Sequence, residues 1–141
     1  MQTNYTLTLL NISPPSVNHY WSGSGSRRYV CKRGVEFKRA LALCAKSANV
    51  KPTKERVALW ITWYKKDKRQ RDIDNILKPI LDALNGIAYL DDSQVTELFV
   101  EKEQSTREAL EITIAVKVKN GNFAKIIGNI HENPELLGGD E

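Results

Sequence analysis

The segment from residue 109 to residue 118 constrains the fold more than any other, because its apolar side chains recur at every second position. Leu110, Ile112, Ile114, Val116 and Val118 would all project from one side of an extended chain. This strict alternation predicts a β-strand whose apolar side packs against a core.

Three other segments also predict strands. Residues 4–10 alternate between large apolar side chains and threonine, and residues 95–103 form a further candidate. Residues 56–64 are apolar on both faces, since Trp60 and Tyr64 lie opposite the aliphatic side chains. That pattern is typical of a central strand covered on both sides. Residues 16–34, which are rich in serine, glycine and basic residues, are interpreted as a loop.

Two segments have helical periodicity. Apolar residues recur at helical spacing over 35–48, and a second stripe runs through 75–86, where Asn85-Gly86 is a suitable C-terminal stop. Pro79 lacks an amide hydrogen, so this helix is expected to begin at about Asn75. The predicted order is βαβαββ, a small single α/β domain with a mixed sheet and two main helices. It would span residues 1–119.

Charge is distributed unevenly along the chain. The sequence has 21 basic and 17 acidic residues, and four of the acidic ones lie at 132–141, where no lysine or arginine occurs. Residues 120–141 are predicted to begin as a short helix and to continue as an acidic, mobile tail. Before residue 120, basic side chains form two clusters, one at 27–39 and one at 65–71. A solvated surface would account for either cluster alone, whereas the pair favours a footprint for a phosphate backbone.

Carboxylates flank the second predicted helix on both sides. Asp72 and Asp74 precede it, and Asp91 and Asp92 follow it. If 72–74 were extended, the first two carboxylates would project to the same side, and a bound cation would relieve their repulsion. Simpler structural roles exist for each group. Asp74 or Asn75 could be a helix N-cap, Lys78 and Asp82 a surface ion pair, and Asp91-Asp92 a turn.

Other function classes are disfavoured. The two cysteines have no partner motif and the two histidines lack the spacing of a zinc site. No apolar run reaches the roughly 18 residues of a membrane span, and no secretion signal is recognisable. The chain is therefore expected to be cytoplasmic.

The motif Arg71-Asp72-Ile73-Asp74-Asn75-(x)₂-Lys78, followed by Asp82-Ala83-Leu84 and Leu90-Asp91-Asp92-Ser93-Gln94-Val95, resembles the RusA-type Holliday junction resolvases. Pro14-Pro15-Ser16-Val17-Asn18 is similar to the N-terminal signature of that family. The resemblance covers residues 5–118. These endonucleases occur in bacteria and are often carried by phages and prophages.

The resemblance implies a Mg²⁺-dependent homodimer that cuts four-way DNA junctions by paired, symmetric incisions, without an organic cofactor. It assigns the metal to Asp72, Asp74 and Asp92, with Asp91 as the alternative to Asp92, and makes Lys78 a catalytic cation. The residues expected to contact DNA are basic: Arg27, Arg28, Lys32, Lys68, Arg69 and Arg71. Two other functions stay open: a protein that binds branched DNA without cutting it, and a Mg²⁺-dependent phosphoryl- or sugar-transfer enzyme.

Overall fold

A computed structural model describes residues 4–16, 21–22 and 29–117 of the chain. The predicted tail at 120–141 lies outside these residues. The elements in chain order are β1 (Asn4–Leu10), β2 (Trp21–Ser22), β3 (Tyr29–Val30), α1 (Lys32–Ser47), β4 (Val57–Lys65), α2 (Leu77–Ala83), β5 (Val95–Gln104) and β6 (Ala109–Val116). Short 3₁₀ turns at Ile73–Ile76 and Asp92–Gln94 precede α2 and β5.

Four strands form one mixed sheet in the order β1-β6-β4-β5. The pairs β1–β6 and β6–β4 are antiparallel, whereas β4 and β5 are parallel. Parallel neighbours need a long crossover between them. Here that crossover is residues 66–94, and it contains both predicted carboxylate clusters. The small α/β domain with a mixed sheet and two α-helices is therefore confirmed.

The alternation of the strands places one face of the sheet in the core. Ile61 of β4 lies opposite Ile112 of β6, which in turn pairs with Leu7 of β1, and all three side chains are fully buried. Phe37 and Leu41 of α1 pack in the same hydrophobic cluster, as do apolar residues of α2. Burying each such side chain contributes roughly 1.5–3 kcal/mol. The two helices thus lie on the same side of the sheet.

The opposite face of the sheet is less covered, within the described residues, than the prediction of a strand covered on both sides implied. Strand β4 is central, but no helix among the described residues covers the side that carries Trp60. That side is closed only in part: Ala58 and Ala115 are buried, and Trp60 stacks on Phe99 at 4.5 Å between ring centroids. Within the described residues, helices therefore cover one face of β4, although the strand is apolar on both.

Two other predictions are wrong in detail. The loop at 16–34 contains the short β2–β3 hairpin, and α1 begins within it at Lys32, capped by the Cys31 sulfur, which accepts from the Gly34 amide at 3.4 Å. The second helix is shorter than 75–86. It ends at Ala83, and Gly86 has the left-handed φ of 80° that ends such a segment readily. No helix in the described ranges is long and apolar enough to cross a membrane.

Candidate active site

Lys78 stands between two carboxylates on the exposed side of α2. Its Nζ lies 3.2 Å from Asp82 Oδ1, one turn along the helix, and 3.1 Å from Asp92 Oδ2, across the crossover. Hydrogen bonds to Asp92 and Asp82 raise the pKa of Lys78. The lysine is therefore a persistent cation, with about half of its side chain (52%) accessible to solvent.

The far end of α2 is held by a lysine from α1. Lys38 Nζ donates to the carbonyl oxygens of Ala83 at 3.0 Å and Asn85 at 2.6 Å. Carbonyls at the end of a helix have no partner within it, and a cation satisfies them well. Burial lowers the pKa of Lys38, with the nearby Asp82 carboxylate acting in the opposite direction. This contact fixes the helix that carries Lys78.

The neighbouring aspartates 91 and 92 have different environments. Asp91 caps the 3₁₀ turn, since its Oδ2 accepts from the Ser93 amide at 3.0 Å. Hydrogen bonds from the side chain and the amide of Ser93 lower the pKa of the Asp91 carboxyl. Asp92 instead faces Lys78. The sequence left the choice between the two open, and the geometry gives Asp91 a structural role while leaving Asp92 beside the lysine.

Gln94 anchors the turn that carries these aspartates. Its side-chain oxygen accepts from the amides of Leu90 at 2.9 Å and Asp91 at 3.0 Å, and its Nε2 donates to the carbonyls of Thr53 and Glu55, both at 2.8 Å. One amide group therefore joins the Asp92 turn to the loop before β4. All four hydrogen bonds restrict where Asp92 can lie.

Asp72 and Asp74 lie at the start of the 3₁₀ turn before α2. Asp72 is extended (φ −75°, ψ 139°), but Ile73 already belongs to the turn, so the condition of an extended 72–74 segment is not met. The N-cap of α2 is Ile76, so the alternative of an N-cap at Asp74 or Asn75 does not apply to this helix. Both carboxylates are exposed, and within the described chain neither makes a side-chain hydrogen bond or ion pair.

These carboxylates have the chemistry that a hard divalent cation prefers, because Mg²⁺ binds oxygen and commonly uses only one or two protein carboxylates with water and substrate phosphate. Across residues 4–16, 21–22 and 29–117, no three His, Cys, Asp or Glu side chains converge closely enough to hold one ion together. The donor set fits a shared protein–substrate site, to which Asp72 and Asp74, neither of which has a side-chain partner in the described chain, would contribute oxygens. Asp92 contacts Lys78 through its Oδ2, so its Oδ1 could join the same site.

A basic loop, residues 66–71, leads directly to Asp72. Lys68 and Arg69 are exposed, and Arg69 has 77% of its side chain accessible. Arg71 is less free, because its Nη2 lies 3.2 Å from Asp67 Oδ2. Burial, which alone would raise the pKa of Asp67, is outweighed by hydrogen bonds from Arg71 and Lys65, and the pKa falls to about 2.

Two cavities meet at this loop. The larger, about 810 Å³, lies between the loop and residues 11–16; the smaller, about 400 Å³, lies between the loop and β5. Both are lined by the same four residues: Lys68, Arg69, Arg71 and Asp72. The Asp72 carboxylate thus lies among basic side chains that separate two concave surfaces. Such an arrangement is suited to binding a polyanionic strand.

Not every predicted DNA contact belongs to this surface. Lys68, Arg69 and Arg71 line both cavities, whereas Lys32 is exposed at the start of α1 and does not line them. Its neighbour Arg33 does line the larger cavity. Arg27 and Arg28 lie outside the described residues.

The ion pair of Lys78 and Asp82, predicted from their i,i+4 spacing, is confirmed, although the sequence did not indicate that Asp92 shares the lysine. Sequence reasoning missed two participants: Lys102 lines the smaller cavity and donates from its Nζ to the carbonyl of Arg71, and Gln94 holds the Asp92 turn. These two contacts join residues far apart in sequence, and no local pattern indicates them.

The chain is similar to known endonucleases. The family model described as Endodeoxyribonuclease RusA matches residues 11–115. The crossover junction endodeoxyribonuclease rusA of Enterobacteria phage HK97 is 32% identical over 82 residues, covering 57% of this chain and 68% of the relative. The crossover junction endodeoxyribonuclease RusA of Escherichia coli (strain K12) is 33% identical over 108 residues, covering 72% and 87%. That of Enterobacteria phage 82 is 32% identical with the same coverage.

Proposed function

Because the chain belongs to the RusA family of endodeoxyribonucleases, we propose that it resolves four-way (Holliday) DNA junctions by symmetric, Mg²⁺-dependent hydrolysis of two phosphodiester bonds. Family membership makes the chain an endonuclease that acts on DNA, and it implies a divalent metal ion. The rest of the proposal is supported by one observation: Asp72 and Asp74, two carboxylates without a side-chain partner in the described chain, lie between the basic loop and Lys78 along the chain.

The proposed metal ligands are Asp72, Asp74 and Asp92. When bound, Mg²⁺ supplies a Lewis acid for the phosphate and lowers the pKa of a bound water. Asp72 and Asp74 need not break any contact in order to bind, since neither has a partner in the described chain. Asp92 is favoured over Asp91, whose carboxylate already accepts a hydrogen bond from its own turn.

Lys78 is proposed to act on the reacting phosphate. It is cationic and half exposed, and α2 and the Asp92 turn are both anchored by hydrogen bonds from outside the crossover. A preorganised cation stabilises negative charge that develops in the transition state. Asp82 and Asp92 would hold the ammonium in position until the phosphate approaches.

The DNA backbone is proposed to lie along the basic loop. Lys68, Arg69 and Arg71 would contact phosphates on either side of Asp72, and Lys32, Arg27 and Arg28 would extend this footprint. Contacts of this kind do not read sequence, so selectivity for junctions would come from shape. With intracellular DNA as its substrate, the protein is proposed to act in the cytoplasm.

A homodimer is proposed because a junction presents two equivalent strands, and a two-fold dimer presents two equivalent sites. The sheet face that carries the stacked Trp60 and Phe99 is a candidate interface, since Phe99 is 43% exposed. Light scattering at micromolar concentration should give twice the mass of the chain. A monomeric mass would contradict the dimer without affecting the assignment of the nuclease site.

The proposed function can be tested with end-labelled synthetic DNA. Four-way junction, linear duplex and single-stranded DNA are incubated with the protein in Mg²⁺ or in EDTA. Symmetric cuts in the junction that require Mg²⁺ and are absent from duplex DNA are expected. Junction binding without cutting would instead identify the non-cleaving binder, and absence of junction binding would refute both.

A further inference from the structure

The basic loop folds around one buried ammonium group. Lys65, at the end of β4, is the one charged residue buried in the described chain, with 5% of its surface exposed. Its Nζ donates to the carbonyl oxygens of Asp67 and Arg69, the latter at 2.8 Å, and lies 3.3 Å from Asp67 Oδ1. Two carbonyls of the loop therefore point inward at a cation rather than outward to solvent.

The carboxylate of Asp67 binds the same loop at further points. Its Oδ1 accepts from the Arg69 amide at 3.2 Å, and its Oδ2 accepts from Arg71 Nη2 at 3.2 Å and Nε at 3.3 Å. Arg69 Nη2 also lies 3.5 Å from Oδ2, so a single carboxylate contacts both the middle and the end of the loop. The side chain of Arg71 is drawn toward the loop immediately before Asp72.

A side chain from the neighbouring strand completes the arrangement. The Nε2 of Gln104, on β5, lies 3.0 Å from the carbonyl oxygen of Lys65, 2.9 Å from that of Lys66 and 3.2 Å from that of Asp67, and its two N–H groups share these three acceptors. Buried or half-buried carbonyls that lose their donors cost free energy. Lys65, Asp67 and Gln104 thus make several contacts each with the loop, in addition to single contacts from Glu108 and Lys102, and we call these three side chains the loop hub.

An acidic residue in this position is unexpected if charge alone determined DNA binding. Asp67 lines the larger cavity together with Lys66, Lys68 and Arg69. A negative charge beside a phosphate backbone repels it, so a surface selected only for attraction would have a neutral residue here. The Asp67 carboxylate instead restricts the motion of the cationic side chains beside it, those of Lys65, Arg69 and Arg71.

We propose that Asp67 is a positioning residue for the DNA strand: through the loop hub, its carboxylate fixes the backbone that carries Lys68 and Arg69 and that leads to Asp72. This role rests on the proposed junction-cleaving function. Asp67 does not touch the reacting atoms. It acts through the loop, and the side chains of Lys65 and Gln104 act with it.

The substitution Asp67→Asn separates this role from a simple charge effect, because the two predict opposite signs. Removing a negative charge near the DNA should tighten binding if only charge matters. Disorder of the loop should instead weaken binding to a four-way junction in EDTA, by about tenfold at low salt. It should also reduce the slope of log K against log salt by roughly 0.9 for every phosphate that the loop no longer reaches.

Two variants serve as controls. Glu55→Gln removes the same charge from an exposed side chain in the loop before β4 and leaves its backbone carbonyl, which accepts from Gln94, unchanged, so it should leave junction affinity within about twofold of wild type. Gln104→Met removes the amide that donates to the loop carbonyls without changing charge, and it should weaken binding as Asp67→Asn does. A melting temperature for each variant establishes that it is folded.

A direct measurement of loop order accompanies the binding data. Hydrogen exchange of the backbone amides at 66–71 should accelerate in Asp67→Asn and Gln104→Met, while amides of β4 and β6 stay protected. Wild-type affinity, or tighter binding, in a folded Asp67→Asn protein would overturn the positioning role. If Asp67→Asn does not fold, the test passes to Gln104→Met: wild-type affinity or tighter binding in that folded variant would overturn the positioning role.

The failures are distinguishable. A wild-type protein that neither binds nor cuts junctions would refute the proposed function. A wild-type protein that cuts, beside variants of the hub that bind and cut equally well, would refute only the role of Asp67.

Discussion

Asp67 and Asp72 lie five residues apart on the same basic segment, yet their surroundings are opposite. Asp67 is close to three cations, and the pKa of its carboxyl is lowered to about 2. Asp72 is exposed and has no side-chain partner in the described chain. The difference separates a carboxylate that maintains the fold of a loop from one that is available to a ligand.

The comparison extends to the second pair of aspartates. Asp91 caps its own turn, and Asp92 faces Lys78 across the crossover. In each pair, the carboxylate of the aspartate nearer the N-terminus makes hydrogen bonds within its own loop or turn. The other aspartate of each pair is a proposed metal ligand. Charge content alone would treat all four alike, whereas their hydrogen bonds divide them into two kinds.

The largest effect is expected at the partnerless carboxylates. Asp72→Asn or Asp74→Asn should lower the rate of Mg²⁺-dependent junction cutting by about two to three orders of magnitude, a decrease typical of groups that stabilise the transition state. Folding should be unaffected, because neither carboxylate makes a side-chain hydrogen bond or ion pair in the described chain. Single-turnover cleavage and a melting temperature measure the two properties. Wild-type cutting by both variants would remove the metal-site assignment.

Lys78→Ala should have the next largest effect. Cutting is expected to slow by roughly a hundredfold while junction affinity changes only a few-fold, since the charge would act mainly in the transition state. Binding in EDTA and cutting at saturating enzyme measure these separately. Equal decreases in affinity and in rate would instead make Lys78 a ground-state phosphate ligand.

A smaller effect is expected when charge is reversed on the exposed loop. Lys68→Glu combined with Arg69→Glu should weaken junction binding by about tenfold at low salt, and the deficit should shrink as salt rises. Lys51→Glu combined with Lys54→Glu, a matched pair of exposed lysines before β4, is the control. Equal weakening in the two double variants would indicate a general charge effect and no footprint at the loop.

The smallest effect is expected at Asp91. Asn is also a good capping residue, so Asp91→Asn should slow cutting only a few-fold, whereas Asp92→Asn should resemble the variants at Asp72 and Asp74. The two proteins are compared in the same cleavage assay. The opposite ranking would transfer the ligand role from Asp92 to Asp91.

Most of the secondary structure follows from local periodicity. The predicted strand at 4–10 has the observed bounds, and the segments 56–64, 95–103 and 109–118 differ from the observed strands by one or two residues at their ends. Buried strands have strong alternation, which a single sequence reveals. The second helix was predicted too long, because its first residues form a 3₁₀ turn and its last belong to the turns around Gly86.

The site was only partly predictable for a physical reason. Asp72, Asp74, Lys78 and Asp92 stand out as charged residues around one helix, within a motif that resembles a family. The contacts that distinguish them depend on strand order. Gln104 meets Lys65 only because β5 pairs with β4 in parallel, 39 residues away along the chain. No rule of spacing within a helix or strand indicates such a partner.

The parallel pairing of β4 and β5 also has a consequence for how this enzyme can diverge. The basic loop, the candidate ligands and Lys78 all belong to one uninterrupted segment, residues 66–94, inserted between two strands that are already neighbours. Recombination between related genes could replace that segment as a unit and leave the four-stranded sheet unchanged. Such an exchange requires that the residues outside the segment that contact it are matched, namely Lys38, the carbonyls of Thr53 and Glu55, Lys65, Lys102 and Gln104. The chemistry could therefore be inherited with one segment, and these contacts limit which segments a given sheet accepts.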